Sequence, residues 1–163
     1  MPDRLEKSVG KAIIVHRPTR RVLILRLNEA ERKARTDDPS KPYDEWHIPG
    51  GSTEPEDGDS REAAAIREAK EETKLLVRSL GSLGLAEWDA FYDGTPAHFR
   101  AEFFACVPLA DTPEPPAVSL DQESSDFAWA SEDELPGYIP KGLTKEAQRF
   151  AVEGLRMALG ETA

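Results

Sequence analysis

Gly50-Gly51-Ser52-Thr53-Glu54-Pro55-Glu56-Asp57-Gly58-Asp59-Ser60-Arg61-Glu62-Ala63-Ala64-Ala65-Ile66-Arg67-Glu68-Ala69-Lys70-Glu71-Glu72-Thr73 carries the most information in this chain. On a helix, Glu68, Glu71 and Glu72 fall at i, i+3 and i+4 and project from one turn. Like charges so placed repel, and near a helix C-terminus the dipole disfavours carboxylates as well. Two arrangements tolerate such a turn: a solvated acidic face, or a bound cation. An oxygen-only, carboxylate-rich cluster suits Mg²⁺ or Mn²⁺. Arg67 stands four residues before Glu71, at pairing distance. Upstream, Pro49-Gly50-Gly51 lacks Cβ atoms at two positions, so backbone there can approach a ligand closely. A carbonyl there can complete a metal shell.

Working outward, the spacing predicts a helix from Asp59 to Leu75. Asp59 and Ser60 mark its start, and Asp59 with Glu62 has the spacing of a capping box. Alanines 63, 64, 65 and 69 with Ile66 favour helix and offer a small-residue packing face. Before it, Lys11–His16 and Arg21–Leu27 read as two strands joined at Arg17-Pro18-Thr19-Arg20. Asn28 to Glu45 is a long polar excursion with two readings: a solvated loop, or a lid over a substrate. Glu45–Gly51 reads as a short strand stopped by Pro-Gly-Gly. Beyond the helix, strands are expected at Leu76–Leu83, Ala86–Tyr92, His98–Val107 and Phe127–Ala130. Ser131–Leu135 then reads as a helical turn, and Thr144–Leu159 as a terminal helix. The pattern predicts a mixed β-sheet between helices, an α/β/α or α+β sandwich.

The composition bounds the function. The 163 residues fit one domain, 1–163. With 21 Lys+Arg against 31 Asp+Glu, the net charge is −10. That balance argues against a nucleic-acid-coating surface, which shows a basic face. The single cysteine, Cys106, excludes an intrachain disulfide, and its apolar neighbours predict a buried thiol. No apolar run approaches the ~20 residues of a membrane helix. The first residues lack the apolar core of a signal peptide. A cytoplasmic, reducing setting is therefore expected.

The glycine pair, the short loop and Asp59-x7-Arg67-Glu68-Ala69-x-Glu71-Glu72-Thr73 resemble the signature of the Nudix hydrolases. That box is written G-x5-E-x7-R-E-U-x-E-E-x-G-U, with U apolar. The chain departs from it in placing its first acid at Asp59, with two extra residues after Gly51, and in having Lys74 where the box has glycine. The resemblance implies the Nudix fold and metal-dependent hydrolysis of a phosphoanhydride in a nucleoside diphosphate linked to another group, or in a nucleoside triphosphate. It implies Glu68, Glu71 and Glu72 as catalytic metal ligands for Mg²⁺ or Mn²⁺, with the Gly50 carbonyl beside them. Gly51 and Arg67 would support the site. A further glutamate in a loop before a late strand is expected at Glu123, with Asp121 and Asp126 as competitors. For substrate, Arg26, Trp46 and His47 are candidates. Trp88, Phe91 and Tyr92 are further stacking candidates, although aromatics on strands are commonly core. Arg32, Arg35 and Arg100 are further candidates for phosphate. The partner is a small nucleotide-like diphosphate, with no membrane or nucleic acid, and a homodimer is admissible. A Nudix-fold domain that binds a nucleotide without turning it over is the competing reading, and a diphosphate isomerase a third.

Overall fold

The computed structural model describes residues 4–34, 46–92, 94–110 and 112–161. Among these described residues, seven strands form one mixed sheet. They are β1 (Leu5–His16), β2 (Arg21–Leu27), β3 (Trp46–His47), β4 (Gly50–Ser52), β5 (Val77–Tyr92), β6 (Thr95–Pro108) and β7 (Ser124–Ser131). The α-helices among the described residues are α1 (Glu29–Ala34), α2 (Arg61–Thr73) and α3 (Lys145–Ala158). The main path runs β3-β2-β1-β6-β5, with β4 paired to β1 and β7 to β2.

β1 is the pivot of this sheet. One of its edges runs parallel to β6, from Leu5 beside Ala97 to Ile14 beside Cys106. Its other edge is divided. Val9, Gly10 and Lys11 pair with β4, and only Val15 and His16 pair with β2. Thus β2 leaves β1 early, and the Ile48–Pro49 link and β4 occupy the opening. Pro49 seals it, its carbonyl accepting from the Ala12 N–H at 2.8 Å.

Strand alternation builds two cores from adjacent residues. Ile13 and Val15 join Val22, Ile24 and Phe103 beneath Phe150, Ala151 and Leu155 of α3. Ala12 and Ile14 join Leu23, Leu25 and Phe104 beneath Ala65 and Ala69 of α2. The result is the expected layered α+β sandwich. Helix α2 lies close on β1 because Gly10 lies beneath it. A Cβ on Gly10 would fall 1.9 Å from the Arg61 carbonyl oxygen.

Several sequence expectations change. Ser60, not Asp59, caps α2, its hydroxyl accepting from the Ala63 N–H at 3.1 Å. Asp59 instead turns through the left-handed region at φ 62°. Gly50 and Gly51 do not end a strand; they form β4. The two strands expected over Leu76–Tyr92 are one. Its register slips at Gly81 and Gly84 mark β-bulges, which bend the strand without ending it. β7 begins three residues before Phe127. The thiol of Cys106 is fully buried, and burial pushes its pKa up to about 12, so it is an inert spectator.

Candidate active site

The site forms where α2 ends against β4. In antiparallel pairing, hydrogen-bonded and non-bonded residue pairs alternate. Thr53 N–H bonds Ser8 O, and Ala12 N–H bonds Pro49 O, each at 2.8 Å. Gly50, opposite Lys11, therefore falls at a non-bonded position. Its N–H and carbonyl face away from β1, toward the last turns of α2. The N–H donates to Glu72 Oε1 at 2.9 Å. Two close approaches explain the glycine pair. A Cβ on Gly50 would lie 2.3 Å from the Gly10 carbonyl oxygen, and one on Gly51 would lie 2.6 Å from the Glu68 carboxyl carbon.

Glu72 is 1 % exposed. Burial raises its pKa well above the usual carboxylate range, and the Lys11 charge and the Gly50 N–H pull it partly back. Glu68 is also raised, mainly by burial and despite Arg67 beside it. Glu68 and Glu123 both add repulsion at Glu72, and Glu71 and Glu123 do so at Glu68. These carboxylates thus share one field although they come from two segments. Glu123 is brought there by the loop before β7, which docks on the end of α2. Ser119 N–H bonds the Thr73 carbonyl at 3.1 Å, and Asp121 N–H bonds the Glu72 carbonyl at 3.3 Å. Asp121 Oδ1 then accepts the Glu123 N–H at 3.0 Å. So Asp121 shapes the loop that presents Glu123. Asp126 lies in β7 opposite Arg26, with its Oδ1 accepting the N–H of Phe127 at 2.8 Å.

Arg67 organises the turn. It grips Asp57 with two bonds, Nε to Oδ1 and one terminal nitrogen to Oδ2, both 3.0 Å. It also donates to Glu68 at 3.0 Å, to Glu71 at 3.1 Å and to the Ser52 carbonyl at 3.1 Å. Asp57 also accepts the Glu54 N–H at 2.8 Å, and the guanidinium holds its carboxyl below the usual range. Asp57 was missed as a site residue in favour of Asp59. The signal was present: Asp57 follows Gly51 by the five-residue gap of the box, so the two extra residues lie after the acid, not before it.

The donor set is chemically right for a hard divalent cation. Two raised carboxylates, an exposed third at Glu71 and an outward-facing glycine carbonyl are oxygen ligands only. Among the described residues, no three carboxylate, imidazole or thiol groups already stand as a closed cation cage. Arg67 draws Glu71 and Glu68 to itself in this arrangement.

Beside the site lies a cleft of about 340 Å³. Trp46 and His47 line it, as does Trp88, whereas Arg26 does not. Trp46 is mostly core, packed edge-on against Tyr138 at 4.9 Å. Phe91 stands in β5 and is not among the lining residues, and Arg100 pairs at 3.0 Å with Glu87, which does line the cleft. Arg35, the 35–45 part of the long loop and the side chain of Tyr92 lie outside the described residues.

The family model described as the NUDIX domain matches residues 7–151 of this chain. Among curated proteins, none matches in sequence. Solved structures do match in fold. A MutT protein from Methanosarcina mazei Go1 has 20 % identity and a TM-score of 0.64, over 97 % of this chain and 99 % of its own. A Caenorhabditis elegans Ap4A hydrolase has 16 % identity and a TM-score of 0.62, over 94 % and 98 %. An ADP-ribose pyrophosphatase from Streptococcus suis has 18 % identity and a TM-score of 0.59, over 92 % of each. At these identities the likeness is one of fold.

Proposed function

The chain belongs to the NUDIX domain family, and from that premise we propose that it is a metal-dependent pyrophosphohydrolase of a nucleotide-like diphosphate, a nucleoside diphosphate linked to another group or a nucleoside triphosphate, working at Glu72. One observation carries the reading. A carboxylate is buried to 1 % exposure with two further carboxylates, Glu68 and Glu123, raising its pKa. Left alone, that arrangement destabilises the fold, and a divalent cation turns it into a site.

In this reading Glu68, Glu71 and Glu72 hold the cation with the Gly50 carbonyl, and Mg²⁺ or Mn²⁺ fits the all-oxygen set. When bound, the cation neutralises diphosphate oxygens and lowers the pKa of water. The remaining work belongs to the chain. The Gly50 N–H orients Glu72. Arg67, held rigid by Asp57, sets the rotamers of Glu68 and Glu71. Gly51 leaves the space in which Glu68 lies. Glu123 is the base candidate, because its loop is fastened to the same helix end and its charge reaches both Glu68 and Glu72. The single-domain reading of 1–163 belongs to the same proposal.

A panel of nucleoside triphosphates, dinucleoside polyphosphates and nucleotide sugars, with Mg²⁺ or Mn²⁺, tests it. Release of phosphate, pyrophosphate or nucleoside monophosphate from at least one member, abolished by chelator, is expected. Tight binding with no turnover of any member would establish the nucleotide-binding alternative instead.

A further inference from the structure

Asn28 follows the last residue of β2, and the two ends of its side-chain amide do different work. Its Oδ1 accepts the Glu31 N–H at 2.8 Å, and its backbone carbonyl accepts the Arg32 N–H at 3.0 Å, so Asn28 caps α1. Its Nδ2 donates to the Gln122 carbonyl, and its backbone N–H donates to the Glu123 carbonyl at 2.9 Å. The β2–β7 ladder slips between Arg26 and Leu27 and closes at Leu27 opposite Ser124. Asn28 thus carries the pairing two carbonyls further, into the loop that holds Glu123. The Gln122 carbonyl and the Glu123 N–H belong to one peptide unit. Asn28 grips that unit at the carbonyl, and Asp121 Oδ1 grips it at the N–H, 3.0 Å away. Ser124, next in the chain and 8 % exposed, makes no hydrogen bond through its hydroxyl and fastens nothing. Of the residues that cap helices well, asparagine offers an NH2 beside its oxygen, aspartate has the oxygen without the donor, and serine is too short to reach both partners.

We propose that Asn28 is a positioning residue for Glu123: its amide donor sets where that carboxylate stands against Glu72, while its oxygen starts α1. This rests on the reading of Glu123 as the base and adds the residue through which that base is held. A planar peptide gripped at both ends cannot rotate, and its orientation aims the Glu123 side chain. Without the Nδ2 bond the Gln122 carbonyl is free to turn toward water, and the carboxylate turns with it. The loop is also fastened to the end of α2, through Ser119 to the Thr73 carbonyl and Asp121 to the Glu72 carbonyl. Those bonds set how near the loop comes, and the bond from Asn28 sets how it faces. Facing matters, because the Glu123 charge reaches both Glu68 and Glu72, and a misplacement of about 1 Å can cost about 10²-fold in rate.

Asn28→Ser separates the two jobs, because serine caps α1 but lacks the NH2. Two quantities are measured in the parent, Asn28→Ser, Glu123→Gln and the double variant: binding of Mn²⁺ alone by calorimetry, and turnover in Mg²⁺ of whichever diphosphate the parent cleaves. Glu123→Gln removes a charge from the site and should weaken Mn²⁺ roughly 3-fold or more. Asn28→Ser should weaken it by part of that. In turnover, Asn28→Ser should lower kcat about tenfold or more and leave KM within about twofold. In both readouts the double variant should be no worse than Glu123→Gln, because Asn28 acts through Glu123. The proposal is overturned if a folded Asn28→Ser keeps the parent's kcat, if it raises KM alone, or if its losses multiply with those of Glu123→Gln. Should Asn28→Ser fail to fold, Asn28→Asp, which also caps, is judged by the same comparison with Glu123→Gln. Failure of the base reading looks different: Glu123→Gln keeps the parent's kcat, or the parent cleaves nothing. Mn²⁺ binding alone then decides, and parent affinity in Asn28→Ser beside weakened affinity in Glu123→Gln overturns the proposal.

Discussion

Asp57 and Asp59 are two residues apart and differ in everything that matters physically. Asp57 is buried and holds Arg67 through two bonds, whereas Asp59 is exposed in a left-handed turn. Asp57→Ala is expected to cost about 3 kcal/mol, because it removes two of the charge-assisted bonds of a guanidinium that is largely shielded from water. Asp59→Asn should stay within about 0.5 kcal/mol, since asparagine tolerates positive φ. Urea unfolding of the two variants checks both, and equal losses would contradict the assignment. The acidic turn and its Arg67 partner were readable because helical spacing is a local property. The identity of the acid that braces Arg67 required the loop conformation, and only the five-residue gap after Gly51 hinted at it. The covering of Glu72 was not readable, because it depends on where Gly50 and the loop before β7 arrive.

At the scale of elements, the site depends on how low α2 lies on β1. Gly10→Ala would place a methyl 1.9 Å from a backbone carbonyl of α2, which cannot move as a side chain can. We expect a loss of about 3 kcal/mol and loss of turnover together, read by unfolding and by assay. Full activity in a stable Gly10→Ala protein would show that the helix height is not critical. The helices and the β1–β2 hairpin were legible from periodicity and capping residues. The single long β5 was not, because Gly81 and Gly84 read as breaks when they are bulges. Nor was β4, three residues long, whose glycines form a strand only because β1 offers an edge.

Two expectations concern the molecule as a whole. His98 bridges Glu87 and Asp89 at 2.9 Å each, and these bonds raise its pKa above the ordinary 6.5. A raised histidine stabilises fully below its unfolded value and loses that contribution as pH rises through the folded one. The stability difference between the parent and His98→Gln should therefore be largest between about pH 5 and 6.5 and shrink above. Thermal melts across that range measure it; a difference independent of pH would contradict it. The second expectation follows from the −10 charge. Part of that charge is concentrated at Glu68, Glu72 and Glu123, so Mg²⁺ should raise the melting temperature by mass action. Glu72→Gln should abolish that rise while leaving the metal-free protein at least as stable, because an amide is less costly to bury than a carboxylate.

Glu72 acts, in the proposed reaction, as a carboxylate on a cation. The most direct measurement is turnover by Glu72→Gln beside the parent, at saturating Mg²⁺, on whichever diphosphate the parent cleaves. A loss of roughly 10²-fold or more is expected in a variant that still folds and melts cooperatively. Parent-level turnover in that variant would contradict it.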